Sequence, residues 1–107
     1  MKPTQQITEV TKTSAEKVLD VLDVLLKNFA VGFTNSELME LTGLPAHSIS
    51  RYVVILENAG FAERIPETNR IRPSHKLAQH AVAILMSLDE AKQRIDTAIT
   101  RLTKGDK

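Results

Sequence analysis

Apolar positions recur at helical spacing in four stretches of this chain, and a short run of mixed character separates the third from the fourth. In the first stretch Val18, Leu22, Leu25 and Phe29 form one stripe with Leu19 and Leu26 beside it, and Thr13 with Glu16 has capping-box spacing at its start. This predicts a core helix that Gly32 breaks. Thr34 and Glu37 repeat the capping-box spacing, so a second helix should begin near Asn35, with Leu38 and Leu41 as its apolar stripe. Gly43 can take the left-handed conformation that ends it, and Pro45 suits the first position of the next helix, where its missing N–H is not needed. Ile49, Val53 and Leu56 mark the buried side of a third helix. Gly60 closes that helix and Phe61 folds back onto its last turn.

After it, FAERI and RIR are short runs that could pair as strands across PETN, in which Pro fixes one dihedral and Asn tolerates a positive one. A hairpin directly after a helix-turn-helix is a wing. From Ser74 the period becomes seven: Leu77, Ile84, Ala91 and Ala98 alternate with Ala81, Leu88, Ile95 and Leu102, and nothing interrupts them before Gly105. At 1.5 Å per residue that segment is roughly 40 Å long, whereas the preceding residues would make a body about 30 Å across. An apolar stripe that overhangs needs a cover. A second copy of the same helix is the favoured one, and packing along the first helix as a third wall of the core is the alternative. The expected architecture is mostly α with a small β-hairpin, a winged helix-turn-helix plus a long C-terminal helix. Its divisions are a polar tail over 1–12, expected to be disordered unless Ile7 and Val10 extend the first helix, the winged unit over 13–76 and the heptad helix over 77–107.

Composition narrows the classes. The 107 residues contain no cysteine, which removes disulfide frameworks and cysteine-ligated zinc and fits a reducing cytosol. The longest apolar run, AVAILM, is far too short to span a bilayer, so the expectation is a soluble cytoplasmic protein with no membrane partner. Net charge is only +1, but its distribution is uneven. Residues 9–40 carry six acids against three bases, and residues 41–76 carry three acids against five bases, which gives a polarised field.

The third helix carries the candidate chemistry. With Ile49, Val53 and Leu56 inward, His47, Ser48, Ser50, Arg51 and Val54 turn toward solvent, and no Asp or Glu occurs from Leu41 to Leu56. A face of small hydrogen-bonding groups and one arginine, free of acid, is acceptable to phosphate oxygens and base edges. Tyr52 could stack or donate to phosphate, although its spacing from Ile49 and Leu56 favours partial core burial. Arg64, Arg70 and Arg72 cluster about the wing, where they could follow a phosphate backbone or reach a minor groove, or could simply keep an edge hairpin soluble. Catalysis finds no support: His47, His75 and His80 lack metal-pair spacing, and Asp20 with Asp23 has no third ligand. No cofactor and no metal are expected.

The sequence from SAEKVLDVLDVL through TNSELMELTGLPAHSISRYVVILENAGFAERIPETNRIRPSHKL resembles the N-terminal winged helix-turn-helix domain of the IclR family of bacterial transcription regulators. The more specific parts are Thr34, Ser36, Glu37 and Leu38; Gly43, Leu44, Pro45 and Ser48; Arg51; Leu56, Glu57, Ala59 and Gly60; and Pro66, Glu67, Thr68 and Arg70. The resemblance implies that the helix over about 45–59 enters the major groove with His47, Ser48, Ser50 and Arg51. It also implies that the wing over about 61–72 brings Thr68, Asn69 and Arg70 to the backbone or minor groove. Ser36, Ala46, Tyr52 and Arg72 complete the candidate DNA-binding set. Asn69 stands where a wing glycine is common, and Ser50 where histidine often occurs. The large effector-binding domain that usually follows is replaced by the heptad helix, so no small-molecule effector is expected. The resulting expectation is a homodimeric, repressor-like binder of double-stranded DNA. The alternative is a winged-helix protein-interaction module whose long helix binds a partner.

Overall fold

A computed structural model describes residues 12–104. The tail expected over 1–12 lies outside the described residues except for Lys12, and Gly105 also lies outside them. The described residues form helices α1 (Ser14–Leu25), α2 (Asn35–Thr42) and α3 (Ala46–Asn58), strands β1 (Ala62–Arg64) and β2 (Ile71–Pro73), and a long helix α4 (His75–Thr103). The chain divides into two compact units, one ending at Leu77 and one beginning at Ala78.

Both predicted capping boxes are present. The Thr13 and Thr34 hydroxyls accept from the Glu16 and Glu37 N–H groups at 3.1 Å, and the two glutamates accept in return from the threonine N–H groups. Each box offers two otherwise unpaired helix-start donors a partner. Gly43 ends α2 at φ 77° and donates to the Met39 carbonyl. At the end of α3, Gly60 at φ 84° donates to Glu57 O and Phe61 to Leu56 O, the paired bonds of a left-handed helix stop.

The core gathers Val21, Val24 and Leu25 of α1, Leu38 of α2, Ile49, Tyr52, Val53 and Leu56 of α3, and Ala62 and Ile71 of the hairpin. Four expectations need correction. Helix α1 ends at Leu25 rather than running to Phe29, and Leu19, Leu26 and Phe29 are exposed; Val18, Leu22 and Leu25 of the expected stripe do meet the core, but its centre is shifted toward Val21 and Val24, a second phase that the VLDVLDVLL run also offers. Leu41 is exposed, since α2 is only two turns long and turns Leu38 inward with Met39 packed partly against the core. Pro45 is the N-cap of α3 rather than its first residue, and its carbonyl accepts from Ser48 and Ile49. Gly32 does not stop α1. It sits at φ 76° where an added Cβ would lie 2.6 Å from the Ile71 carbonyl oxygen.

That approach explains a pairing absent from the sequence pattern. Phe33 and Ile71 exchange both backbone hydrogen bonds at 2.8 Å, so a single antiparallel bridge ties the loop before α2 to the hairpin. The hairpin itself is antiparallel, with Ala62 opposite Pro73, Glu63 opposite Arg72 and Arg64 opposite Ile71. Its turn closes on Ile65, whose carbonyl accepts from Asn69, and Asn69 takes the expected left-handed conformation at φ 63°. Ser74 joins the hairpin to α4: its hydroxyl donates to Gly60 O at 2.6 Å and accepts from Leu77 N–H. Helix α4 is unbroken through Thr103, and none of its residues is buried.

Candidate nucleic-acid interface

Helices α2 and α3, joined by Gly43–Pro45, form the helix-turn-helix, and hydrophobic periodicity decides which side of α3 remains outside. Ala46, His47, Ser50, Arg51 and Val54 are exposed. Ser48 was expected to point outward but is 8% exposed, because its position borders the inward stripe through Ile49 and Tyr52. Tyr52 is buried more completely than the partial burial expected of it. Ser36 is exposed in the first turn of α2.

Arg51 is the cation of this face, and a neighbour orients it. Its guanidinium lies over the Tyr52 ring, 5.1 Å from the centroid, and donates to the phenol oxygen at 3.3 Å. Hydrogen bonding first from Ser14 and then from Arg51 holds the phenol pKa below its ordinary value. The buried ring therefore acts as a rigid shelf for an exposed charge, which links core packing to the presentation of Arg51.

The wing arginines differ from one another. Arg70 donates to Glu37 at 2.7 Å, to Gly32 O at 3.1 Å and to Val31 O at 3.3 Å, and its side chain is only 25% exposed. Arg72 pairs with Glu63 at 2.8 Å, lies over the Phe29 ring and is 21% exposed. Arg64 is the most open at 37%, with its closest acid, Glu57, 3.7 Å away. In this structure Arg70 and Arg72 thus face internal partners, while Thr68 and Asn69 stand exposed at the tip with Glu67 beside them. No local signal announces the Arg70–Glu37 pair, since 33 residues separate the two in sequence.

These pairs also set the local electrostatics. The Thr34 N–H first, and Arg70 second, hold the Glu37 carboxyl below the usual carboxylate range. Burial acts to raise the Glu63 carboxyl, but the His75 N–H, Arg72 and the His75 ring outweigh it and leave the pKa lowered. Among the described residues no three His, Cys, Asp or Glu side chains gather as a metal site, and no helix is long and apolar enough to cross a membrane. In α4 the heptad residues Ala81, Ile84, Leu88, Ile95, Ala98 and Leu102 are exposed, while Leu77 and Ala91 are half-buried.

A helix-turn-helix followed by a short hairpin, with an acid-free outer face on its second helix, defines a DNA-binding domain of the winged-helix class. Residues 14–66 match the family described as the IclR helix-turn-helix domain. A solved structure of HmgR from Pseudomonas aeruginosa is similar at 31% identity with a TM-score of 0.60, over 69% of this chain and 30% of that one. A search of curated proteins gives no match. Residues 14–66 are therefore a helix-turn-helix domain of the IclR type, a DNA-binding fold. The chain spans less than a third of the HmgR chain.

Proposed function

We propose that the protein is a homodimeric, sequence-specific regulator of transcription that represses by occupying double-stranded DNA. Helix α3 lies in the major groove, where His47, Ser50 and the start of the helix at Ala46 meet base edges and Arg51 meets phosphate. The wing follows the backbone or enters the minor groove through Thr68 and Asn69. One observation carries this reading: the outward face of α3 has no acid before Glu57 and is exposed among the described residues, on a domain of the IclR helix-turn-helix type. The apolar heptad positions of α4 support pairing with a second copy, and a two-fold dimer matches a near-palindrome whose half-sites lie about one helical turn, roughly 34 Å, apart or a multiple of that.

The test is a gel shift on mixed genomic fragments between about 50 and 200 mM salt. Each phosphate contact adds about −0.9 to the log–log slope of affinity against salt. Steep loss of binding with salt is the expected result, and flat or absent binding overturns the reading. One observation favours a second reading in that event: the apolar positions of α4 would equally serve a helical protein partner, with the winged unit as scaffold.

A further inference from the structure

The outer face of α3 is polar except at Val54 in its centre and Ile55 toward its margin. At about 100° per residue, the buried residues Ile49, Tyr52, Val53 and Leu56 point to one side, and His47, Val54 and Asn58 point almost directly opposite. Positions 47 and 54 lie seven residues apart, within about 20° of one another around the axis. Ser50 flanks this line on one side and Arg51 on the other. Val54 therefore occupies the middle of the solvent face, and it is 48% exposed.

A single exposed valine is commonplace on a protein surface. This one is set apart by its place on the axis of the outer face, with Ser50, Arg51 and Asn58 around it, the exposed Ile55 at the margin, and no acid on the helix face before Glu57. On the reading of α3 as the groove-bound helix, Val54 faces base edges, and the major groove offers an apolar side chain one good partner, the C5-methyl group of thymine. A cytosine there would bring an amino donor against the valine methyls, and a purine would bring a ring-nitrogen acceptor. Either polar group would lose water without gaining a partner.

We propose that Val54 is a specificity-determining residue that selects thymine in each half-site through its methyl group. His47 and Ser50 read neighbouring base edges by hydrogen bonding, and Arg51, resting on Tyr52, holds the helix to the backbone. The proposal rests on the DNA-binding reading and adds to it the identity of one base and the atom recognised.

The full chain is first used to select bound sequences from a random duplex pool. Each thymine of the selected site is then replaced in turn by deoxyuridine, which removes only the methyl group. One thymine per half-site should lose about fourfold in affinity on this change, the factor that withdrawal of one methyl-sized group from water is worth. Placing 5-methylcytosine there should cost less than placing cytosine. In Val54→Ala the uracil penalty at that position should disappear, while the salt slope stays that of the parent. Val54→Thr, which keeps the branched shape, should retain part of the penalty and guards against misreading a folding defect. Strong selection with a uracil scan that is flat, or equally deep in Val54→Ala, overturns the proposal and leaves the DNA-binding reading intact. Failure to recover any sequence from the pool overturns both.

Discussion

Gly32 and Gly43 share a backbone conformation but differ in surroundings, which makes them a matched pair for measuring what the Phe33–Ile71 bridge contributes. Both have φ near +77°, yet a Cβ on Gly43 would meet nothing within 4 Å, while one on Gly32 would lie 2.6 Å from the Ile71 carbonyl oxygen. Alanine at either site carries the left-handed penalty of about 1–2 kcal/mol. The reduced freedom of the unfolded chain offsets a similar part of it at both and cancels in the comparison. At Gly32 the new methyl must also push Ile71 away from Phe33, weakening two backbone hydrogen bonds of 2.8 Å worth about 1 kcal/mol each. Gly32→Ala should therefore cost about 3–4 kcal/mol and Gly43→Ala about 1–2, out of a total stability of roughly 5–15 kcal/mol. At about 4–8 °C per kcal/mol for a domain of this size, Tm should fall by about 12–32 °C in the first variant and about 4–16 °C in the second. Tyr52 is the chain's one tyrosine and there is no tryptophan, so tyrosine fluorescence during melting reports the core of the winged unit specifically. Equal melting of the two variants, within about 3 °C, would refute the idea that the Gly32–Ile71 approach holds the hairpin.

Three other predictions follow from the same geometry. Arg51→Ala should lose about 1–3 kcal/mol of DNA affinity and lower the salt slope by about one contact, with the domain still cooperatively folded; a folded variant of full affinity removes Arg51 from the interface. Leu88→Glu places a charge at a heptad core position and should sediment as a monomer, and a dimeric variant would show that α4 is not the seam. The Glu37 carboxyl is lowered from its ordinary 4.5, so its contribution to stability is present above that pH and disappears as the pH falls through the folded-state value. Acid titration of Glu37→Gln should then show a shallower loss of stability below about pH 4.5 than the parent, and parallel curves would deny Glu37 that role.

Local chemistry made much of the fold legible. The two Thr–Glu boxes, the glycine stops at Gly43 and Gly60, the left-handed Asn69 and the unbroken heptads up to Thr103 depend on residues a few positions apart, and all appear as read. Features set by distant partners were not legible. The face of α1 that turns inward is decided by what packs on it, and VLDVLDVLL satisfies more than one phase. Ser48 lies at the edge of the apolar stripe, where a small hydroxyl can go either way until Ile49 and Tyr52 are seated. The internal pairing of Arg70 with Glu37, and the nearness of Gly32 to Ile71, connect segments more than 30 residues apart, so only the folded chain reveals them. The candidate site divides along the same line. The exposure of His47, Ser50 and Arg51 follows from period alone, but the difference between an open Arg64 and engaged Arg70 and Arg72 does not.

One carboxylate oxygen of Glu37 accepts both from the Thr34 N–H that opens α2 and from the guanidinium of Arg70, at the turn end of the hairpin. Lifting the hairpin therefore means loosening the first turn of a helix, so the two travel as a unit rather than as an arm on a hinge. A receptor built in this way has already met its ordering cost during folding, and its encounter with a target should be governed by diffusion and charge rather than by a slow rearrangement.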